Sequence, residues 1–437
     1  MRKTFNFLIV AAVTMSLGLG VSHVSAANHS GAGAPTLKKG VTLTIWDYFC
    51  NAGQTTCPER DAEVKVVKQW EKISHDTVKF PTNPDSHDNK MCTAGPAHQG
   101  PDIVGGPHNE MGPMVACQTL SPVPAWAWTA AQKKKYIKAA VQSTTIKGKS
   151  YSMPWAIETT GLFYNKALMK ASDFKPAKGQ KYLTWSKLIS TFKKLNVPGG
   201  LPFGWDQANF YFDYAFIAGN GGYVFKYTKN GYDWKNIGLD SKGSIAGIKF
   251  IGDLNENGKY KLYPASMNDS TASGLFTAGK LGAYYTGPWN EQNFVKANVN
   301  YGFQPLPSFD GKHPSHPFSG LQVYALNAFT AHKNEAASLL AYLTTHMQAP
   351  EFQTSGRIPV LTALLNSKKV QRDPVAGGLA HAALGASPMP NIAEMNQVWG
   401  PMGTAIGQVV LGKATASAAA KAAVGQIKSD IAKAHGG

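Results

Sequence analysis

Two tryptophans lie at turn-like positions of the sequence, where a flat ring can face solvent. One closes the segment Gly287-Pro288-Trp289, and the other, Trp399, follows the segment Met389-Pro390-Asn391-Ile392 by seven residues. A sugar ring has an apolar C–H face and a rim of hydroxyls, so a protein that binds one needs flat aromatic surfaces beside polar side chains. Taken alone, either tryptophan is better explained as a core residue, because Trp is highly buried on average. The pair is a candidate carbohydrate platform whose meaning depends on its surroundings.

Short catalytic motifs are absent from the sequence. It contains no His-Glu-x-x-His, no Gly-x-Ser-x-Gly and no Gly-x-Gly-x-x-Gly that opens a helix. Residues 148–150 resemble the end of a phosphate-binding loop, but Ser143 stands where the first glycine of that loop is required. We predict neither a cofactor nor a metal. A glycosidase remains possible at this point, because paired carboxylates have no short signature.

The first 26 residues predict export. They contain the basic pair Arg2-Lys3, an apolar stretch from Phe7 to Leu19 and a small-residue cleavage site at residues 24–26. No later segment approaches about 18 uninterrupted apolar residues, so we expect a soluble mature chain in a periplasm or at the cell surface. No cysteine follows the apolar stretch closely enough to carry a lipid anchor. Residues 27–40 are predicted to form a flexible N-terminus.

The chain is basic but poor in charge. Charged residues make up 16% of the sequence, and the formal net charge is +17. Without Arg2 and Lys3, 41 basic and 26 acidic residues remain, a net charge of +15. The lysines are scattered, and the tight run at residues 133–135 is interpreted as a solvated helix face, so no nucleic-acid partner is predicted. Few carboxylates means few groups whose protonation weakens the fold, which suggests adaptation to acidic surroundings.

Four cysteines, Cys50, Cys57, Cys92 and Cys117, lie in the first third of the chain. An even number in an exported protein favours two disulfides, and three connectivities are possible. We predict Cys50 with Cys57 and Cys92 with Cys117, because each pair closes a short loop. A zinc site would recruit His87 or His98, but the cysteine spacing is not that of a zinc finger.

Strand and helix patterns alternate along the chain. About 410 mature residues suggest two globular units, and interleaved strands and helices indicate layered α/β architecture. Strands are predicted at residues 41–45 and 100–104 from alternation or short buried runs. Helices are predicted after Pro58, after the capping residue Thr184, around residues 245–254 and 336–347, and as a surface helix from Thr415 to His435.

Four ordered segments resemble one protein family. The segments are residues 148–168 with Met153-Pro154-Trp155-Ala156-Ile157-Glu158 inside them, residues 221–226, residues 287–307 with Gly287-Pro288-Trp289, and residues 389–399. Their order and content resemble the extracellular solute-binding proteins of ABC importers, with the maltose/maltodextrin-binding proteins as the best match within that group. The resemblance covers nearly all of the mature chain.

The resemblance implies an α/β protein of the type II periplasmic-binding-protein fold, with two lobes, hinge crossings and a cleft between the lobes. The N-terminal lobe would comprise residues 41–156 and 321–371, and the C-terminal lobe residues 157–320 and 372–437. Such a protein closes around an oligosaccharide and delivers it to the membrane permease subunits of an ABC importer. By the same resemblance the chain would be a monomer and not an enzyme.

Carried over position by position, the resemblance also implies binding residues. Tyr211, Trp289 and Trp399 would be stacking aromatics of the second lobe. Glu158 would accept hydrogen bonds from sugar hydroxyls, and Met389 would line the cleft. A solvated or ion-paired hinge residue is the alternative role for Glu158.

Several positions depart from the family pattern, most of them in the first lobe. Where the family has Trp-x-x-Asp-Arg, this chain has Gly106-Pro107-His108-Asn109-Glu110, so the tryptophan is missing and Asn109 and Glu110 replace the charged pair. Asn209 replaces a carboxylate, Gly403 replaces an arginine, and Asp47 opens a cysteine-containing insertion. Trp155 stands where the family has an aliphatic residue and is a candidate replacement aromatic.

These departures leave the sugar open. A maltooligosaccharide, trehalose or another glucoside fits, because each lost hydrogen bond to a buried group changes discrimination by about 1 to 3 kcal/mol. Two other functions compete with sugar capture. A secreted glycoside hydrolase would use two facing carboxylates, Glu158 among them, and a basic surface protein would bind polyanions in a salt-sensitive way.

Overall fold

The structure is a computed structural model that describes residues 34–47, 58–81, 87–228 and 231–436. The predicted signal peptide, residues 27–33 of the predicted flexible N-terminus and the predicted Cys50–Cys57 disulfide lie outside the described residues. Within the described part, no helix combines the length and apolarity needed to cross a membrane.

Eight strands of the described chain form the larger sheet, here called the first-lobe sheet. Its strand Thr42–Trp46 pairs in parallel with both neighbours, and its two longest strands, Ser152–Glu158 and Phe318–Asn327, run antiparallel to each other. Both long strands are buried along their whole length, as expected for strands covered on both faces. The strands are Thr42–Trp46, Thr77–Lys79, Ile103–Pro107, Leu120–Ser121, Ser152–Glu158, Phe318–Asn327, Ile358–Pro359 and Ser387–Pro388.

Four further strands form the second-lobe sheet, in the order Tyr301–Gln304, Gly161–Asn165, Leu281–Thr286 and Leu201–Trp205. Two antiparallel pairs lie outside both sheets: Thr145–Ile146 with Lys149–Ser150, and Phe225–Thr228 with Gly231–Ile237. The second pair is called the aromatic ribbon below. The chain passes between the sheets after Glu158 and again before Phe318.

The predicted helices are present. Thr184 caps Trp185–Phe192 through its side chain, and Thr415 caps Ala416–Ala434 in the same way. The terminal helix is not only a surface helix, since it buries one face that includes Val424 and Ile427. The helices are Pro58–Ser74, His87–Ala94, Met111–Ala116, Ala130–Lys133, Lys138–Ser143, Trp185–Phe192, Phe210–Gly219, Lys242–Leu254, Asp269–Thr277, Glu291–Lys296, Lys333–His346, Gln348–Ser355, Thr362–Leu365, Lys368–Arg372, Ala376–Gly385, Trp399–Val410 and Ala416–Ala434, with short 3₁₀ turns at His108–Glu110, Ala171–Phe174, Pro288–Asn290 and Ala393–Gln397.

Two sequence expectations are corrected by the described residues. The strand predicted at residues 100–104 begins at Ile103 and continues to Pro107. The lysine run is not a solvated helix face, because the helix ends at Lys133. The Lys133 Nζ donates to Ser150 Oγ at 2.8 Å and lies 4.9 Å from the Trp128 ring centre.

The disulfide Cys92–Cys117 is confirmed, with the two Cα atoms 5.7 Å apart. It joins the end of helix His87–Ala94 to the residue after helix Met111–Ala116. A zinc site using these two cysteines is therefore wrong. No group of three or more His, Cys, Asp or Glu side chains among the described residues is placed to hold a metal ion.

Several carboxyl groups lie buried below the first-lobe sheet. Burial, with a smaller effect of nearby Glu59, raises the pKa of Glu351 to about 9. Burial also raises the pKa of Glu63 well above its usual range, and Glu63 accepts a hydrogen bond from Tyr324 Oη at 2.5 Å. The fold thus favours the protonated form of these groups.

We expect the free energy of unfolding to fall as the pH rises above neutrality. Glu351 has a folded pKa above its ordinary value of 4.5, so its contribution is complete below pH 4.5 and is lost as the pH rises towards 9. The loss between pH 7 and 9 should be roughly 2 to 3 kcal/mol from this group. Urea denaturation across this pH range measures it.

Glu351→Gln should flatten that pH dependence, whereas Glu256→Gln, at an exposed position, should leave it unchanged. A maximum of stability near neutrality with steep loss below about pH 5 would contradict both this expectation and the adaptation to acidic surroundings.

Candidate functional site

A cavity of about 420 Å³ lies between the two sheets. One side is formed by the ends of first-lobe strands and the 3₁₀ turn His108–Glu110, and the other by turns and helix starts of the second lobe. It is called the cleft below. Its lining consists of Pro107, Asn109, Glu110, Glu158, Tyr211, Trp289, Gly320, Gln322, Arg357, Met389 and Trp399.

The second lobe contributes an aromatic wall of three rings. Tyr211 lies in the first turn of helix Phe210–Gly219, Trp289 in the 3₁₀ turn Pro288–Asn290, and Trp399 opens helix Trp399–Val410. The ring centres of Tyr211 and Trp289 are 6.1 Å apart, and the Trp289 residue is 36% exposed. Burial raises the pKa of Tyr211, so its hydroxyl stays a hydrogen-bond donor. Sequence reasoning predicted all three rings, and the structure brings them to one cavity.

Gly287 explains how a tryptophan at this turn stays in the cleft. The indole of Trp289 folds back over Gly287, and a Cβ at residue 287 would come within 2.2 Å of that ring. Any side chain there would push the indole out of its position. The Gly287-Pro288-Trp289 motif is therefore a device for orienting one aromatic face.

The first lobe contributes a polar wall. Glu158 is the last residue of strand Ser152–Glu158, and its Oε2 accepts a hydrogen bond from Gln322 Nε2 at 3.1 Å. Glu158 Oε1 forms an ion pair with Arg357 Nη1, and these two side chains are only 9% and 11% exposed. Asn109 Oδ1 is buried and has no hydrogen-bond partner among the described residues. The wall therefore offers carboxylate and amide oxygens to a ligand that donates hydrogen bonds.

Arg357 and Gln322 were not predicted from the sequence. Arg357 precedes the short strand Ile358–Pro359, and its Nε and Nη2 also bind Glu59 Oε1, each at 2.8 Å. The guanidinium thus joins Glu158 to Glu59 at the start of helix Pro58–Ser74. Gly356, with φ of 74°, turns the chain just before Arg357. A glycine at this position is the only local feature of the sequence that points to a turn next to Arg357.

His108 connects Met389, which lines the cleft, to strand Phe318–Asn327. His108 Nδ1 accepts the Leu321 N–H, and its Nε2–H donates to Met389 O, each at 3.1 Å. Burial lowers the pKa of His108 to about 4, so the neutral ring that these two bonds require is maintained at neutral pH. His108 positions Met389 beside the first-lobe wall, a role that sequence reasoning missed.

Three predicted binding residues do not line the cleft. Trp155 is fully buried in the first-lobe core, because its strand is central and covered on both faces. Asp47 is also buried and forms an ion pair with Arg60. Asn209 is exposed and caps helix Phe210–Gly219, with its Oδ1 accepting the Tyr211 N–H at 3.2 Å. The expected extra aromatic face at Trp155 is therefore a core side chain, and Asn209 acts on the cleft only through the helix that carries Tyr211.

Arg357→Met should lower the free energy of unfolding by about 3 kcal/mol, because it leaves Glu158 and Glu59 without their cationic partner. The double variant Arg357→Met/Glu158→Gln should recover part of that loss. The matched control is Lys433→Met, which removes an ion pair whose lysine is 70% exposed and should change little. Urea denaturation at pH 7 compares the three, and equal losses for Arg357→Met and Lys433→Met would contradict the assigned role.

Comparison with known proteins identifies the family. The model of the family described as "Bacterial extracellular solute-binding protein" matches residues 58–350. A galactooligosaccharide-binding protein of Bacillus subtilis is 28% identical, and the alignment covers 98% of each chain. The maltodextrin-binding protein MdxE of the same species is 27% identical, over 98% of this chain and 97% of its own.

A solved structure agrees in fold. The cyclo/maltodextrin-binding protein in complex with maltotetraose matches with a TM-score of 0.79 and 30% sequence identity, covering 91% of this chain and 99% of that one. The match spans both sheets and the passages between them. The chain therefore belongs to the bacterial extracellular solute-binding proteins, and the predicted two-lobed type II α/β fold is confirmed.

Proposed function

We propose that this protein captures a gluco-oligosaccharide of the maltodextrin type in the cleft and delivers it to an ABC permease. The observation that carries the proposal is the aromatic wall of Tyr211, Trp289 and Trp399 opposite a wall of buried polar side chains. Ring faces bind the C–H faces of sugars, and a surrounding set of hydrogen-bonding groups fixes orientation.

The polar wall supports a ligand rich in hydroxyls. Glu158 and Asn109 present oxygens that accept hydrogen bonds, and the orphaned Asn109 Oδ1 gains a partner only when a donor enters the cleft. Leaving a buried acceptor unsatisfied costs about 1 to 3 kcal/mol, so a hydroxyl that donates to it is favoured. Arg357 keeps Glu158 in a fixed orientation from behind.

The identity of the bound sugar has two candidates. Two relatives similar over nearly the whole chain are named for galactooligosaccharides and for maltodextrin, at 28% and 27% identity. We favour glucosides because a structural neighbour with a TM-score of 0.79 holds maltotetraose. The stacking wall suits either sugar, since both present an apolar ring face, so the choice rests with Asn109, Glu110 and Glu158.

Binding without cleavage is the favoured outcome. Glu110 and Glu158 are the two carboxylates of the cleft lining, and a glycosidase needs one of such a pair as a proton donor. The ion pair with Arg357 suits Glu158 to accept hydrogen bonds rather than to donate a proton. A reducing-end assay with maltotetraose distinguishes binding from hydrolysis. Release of reducing ends by the parent, abolished in Glu158→Gln, would favour a hydrolase instead.

Location, oligomeric state and lobe division are proposed by analogy with the family. We place the protein outside the cytoplasm, in a periplasm or at the cell surface, as a monomer that presents both lobes to permease subunits. The lobe division proposed is residues 41–156 with 321–371 and residues 157–320 with 372–437.

Trp289→Ala and Trp399→Ala should each weaken binding of maltotetraose at least about tenfold, because each removes a stacking face. Tyr211→Phe should weaken it less, since the ring stays and only the hydroxyl is lost. Calorimetric titration of the mature protein with maltotetraose, trehalose and a galactooligosaccharide measures these effects and ranks the sugars.

The matched control is Trp126→Ala, which removes a tryptophan outside the cleft lining. Parental affinity for maltotetraose in both Trp289→Ala and Trp399→Ala would refute the role of the aromatic wall in sugar binding. Tighter binding of the galactooligosaccharide than of maltotetraose would support the aromatic wall as the binding surface and identify a galactooligosaccharide as the preferred ligand.

A further inference from the structure

A second and larger cavity, of roughly 1100 Å³, has no role in the proposed capture of ligand by the cleft. One wall is formed by helix Met111–Ala116 and residues 142–147, and the other by the aromatic ribbon. Residues 387–394 line it between these walls, and Met389 borders both this cavity and the cleft. It is called the ribbon cavity below.

The ribbon presents three aromatic rings on one face. Tyr227 and Tyr232 are paired across the two strands, and their ring centres are 5.0 Å apart. Trp234 follows Tyr232 by two residues and lines the same cavity. All three line the cavity, and Tyr227 is 63% exposed. A solvent-facing aromatic cluster of this kind marks a binding surface more often than a core.

The inner two rings are fixed in position. Tyr232 Oη donates to Pro388 O at 2.9 Å. The Trp234 ring lies 4.7 Å from the ring of His435, which in turn contacts Glu394 Oε1 at 3.0 Å through Nε2. These contacts tie the ribbon to the lining segment and to the C-terminal helix, so the platform exists before any ligand arrives and little ordering opposes binding.

The other lining residues determine what kind of ligand fits. The wall opposite the ribbon carries the amides of Gln118 and Gln142, and the charged lining residues have both signs, with Lys147 and Lys226 against Glu394. Both amides are exposed and offer hydrogen bonds that an apolar ligand cannot use, and a polyanion would meet Glu394. A neutral ligand with apolar faces and many hydroxyls satisfies both the rings and the polar groups.

We propose that the ribbon cavity is a second carbohydrate-binding site for a neutral oligosaccharide, separate from the cleft. The Tyr227, Tyr232 and Trp234 rings stack on sugar faces, and the amides of Gln118 and Gln142 bind hydroxyls. This site goes beyond the proposed capture function and stands on its own residues, apart from Met389, which the two cavities share.

Calorimetric titration with maltotetraose tests the second site against the cleft. The parent protein should bind two equivalents, and Trp289→Ala, which impairs the cleft, should retain the second binding event. Tyr227→Ala should weaken that event at least about tenfold and leave the cleft event unchanged. Tyr227 is exposed enough for its truncation to preserve the fold, and Leu411→Ala, 51% exposed and outside both cavities, is the matched control.

A second pair of variants separates stacking from ribbon stability. Trp234→Ala should abolish the second event, whereas Trp234→Phe, which keeps a ring against His435, should retain most of it. A single equivalent in the parent at saturating maltotetraose, or an unchanged second event in Tyr227→Ala, would overturn the proposal. Salt-sensitive binding of dextran sulfate to Trp289→Ala, with no response to maltotetraose, would overturn it in favour of a polyanion site. Loss of cleft binding alone would refute the capture function and leave this site standing.

Discussion

The aromatic wall of the cleft depends on the packing of one side chain at a passage between the lobes. Phe318 is the first residue of strand Phe318–Asn327, whose remainder lies in the first-lobe sheet. Its ring stacks on Tyr214 with centres 3.7 Å apart and lies 6.1 Å from both Tyr211 and Trp399. Two of the three cleft rings are thus packed against a residue of the connecting strand. The positions of the cleft rings therefore depend on the position of the strand that connects the two lobes.

The polar wall is organised by a different rule, that a buried charge needs a partner. Arg357 lies between Glu158 and Glu59, so one guanidinium neutralises a cleft carboxylate and fixes it to helix Pro58–Ser74. Buried ion pairs contribute little net stability when compared with apolar packing, yet removing one partner is costly. Such a pair is better explained by the orientation it gives Glu158 than by stability, because a charged acceptor held in place binds hydroxyls strongly.

The sequence was most informative where the signal is local. The cap at Thr184, the alternation in Thr42–Trp46 and the motif Gly287-Pro288-Trp289 are each local patterns. The three rings that the resemblance proposed as stacking residues line one cavity. Arg357, Gln322 and His108 carry no such signal, because long-range strand pairing brings them to the cleft. Trp155 was proposed as a cleft aromatic because the family has an aliphatic residue there, but a comparison of residue types does not reveal that its strand is covered on both faces.

The division of labour between the two walls explains why the three stacking rings match the family pattern while several polar positions depart from it. Stacking on a ring face tolerates different sugars, since every pyranose presents apolar C–H surface, so Tyr211, Trp289 and Trp399 can stay while the ligand changes. Discrimination between sugars comes from hydrogen bonds to individual hydroxyls, where one unsatisfied group costs about 1 to 3 kcal/mol. Two of the residues that differ, Asn109 and Glu110, line the cleft on the polar wall, which Arg357 also lines. A change of ligand within this fold therefore requires new polar side chains at the ends of first-lobe strands, with no change in the aromatic platform.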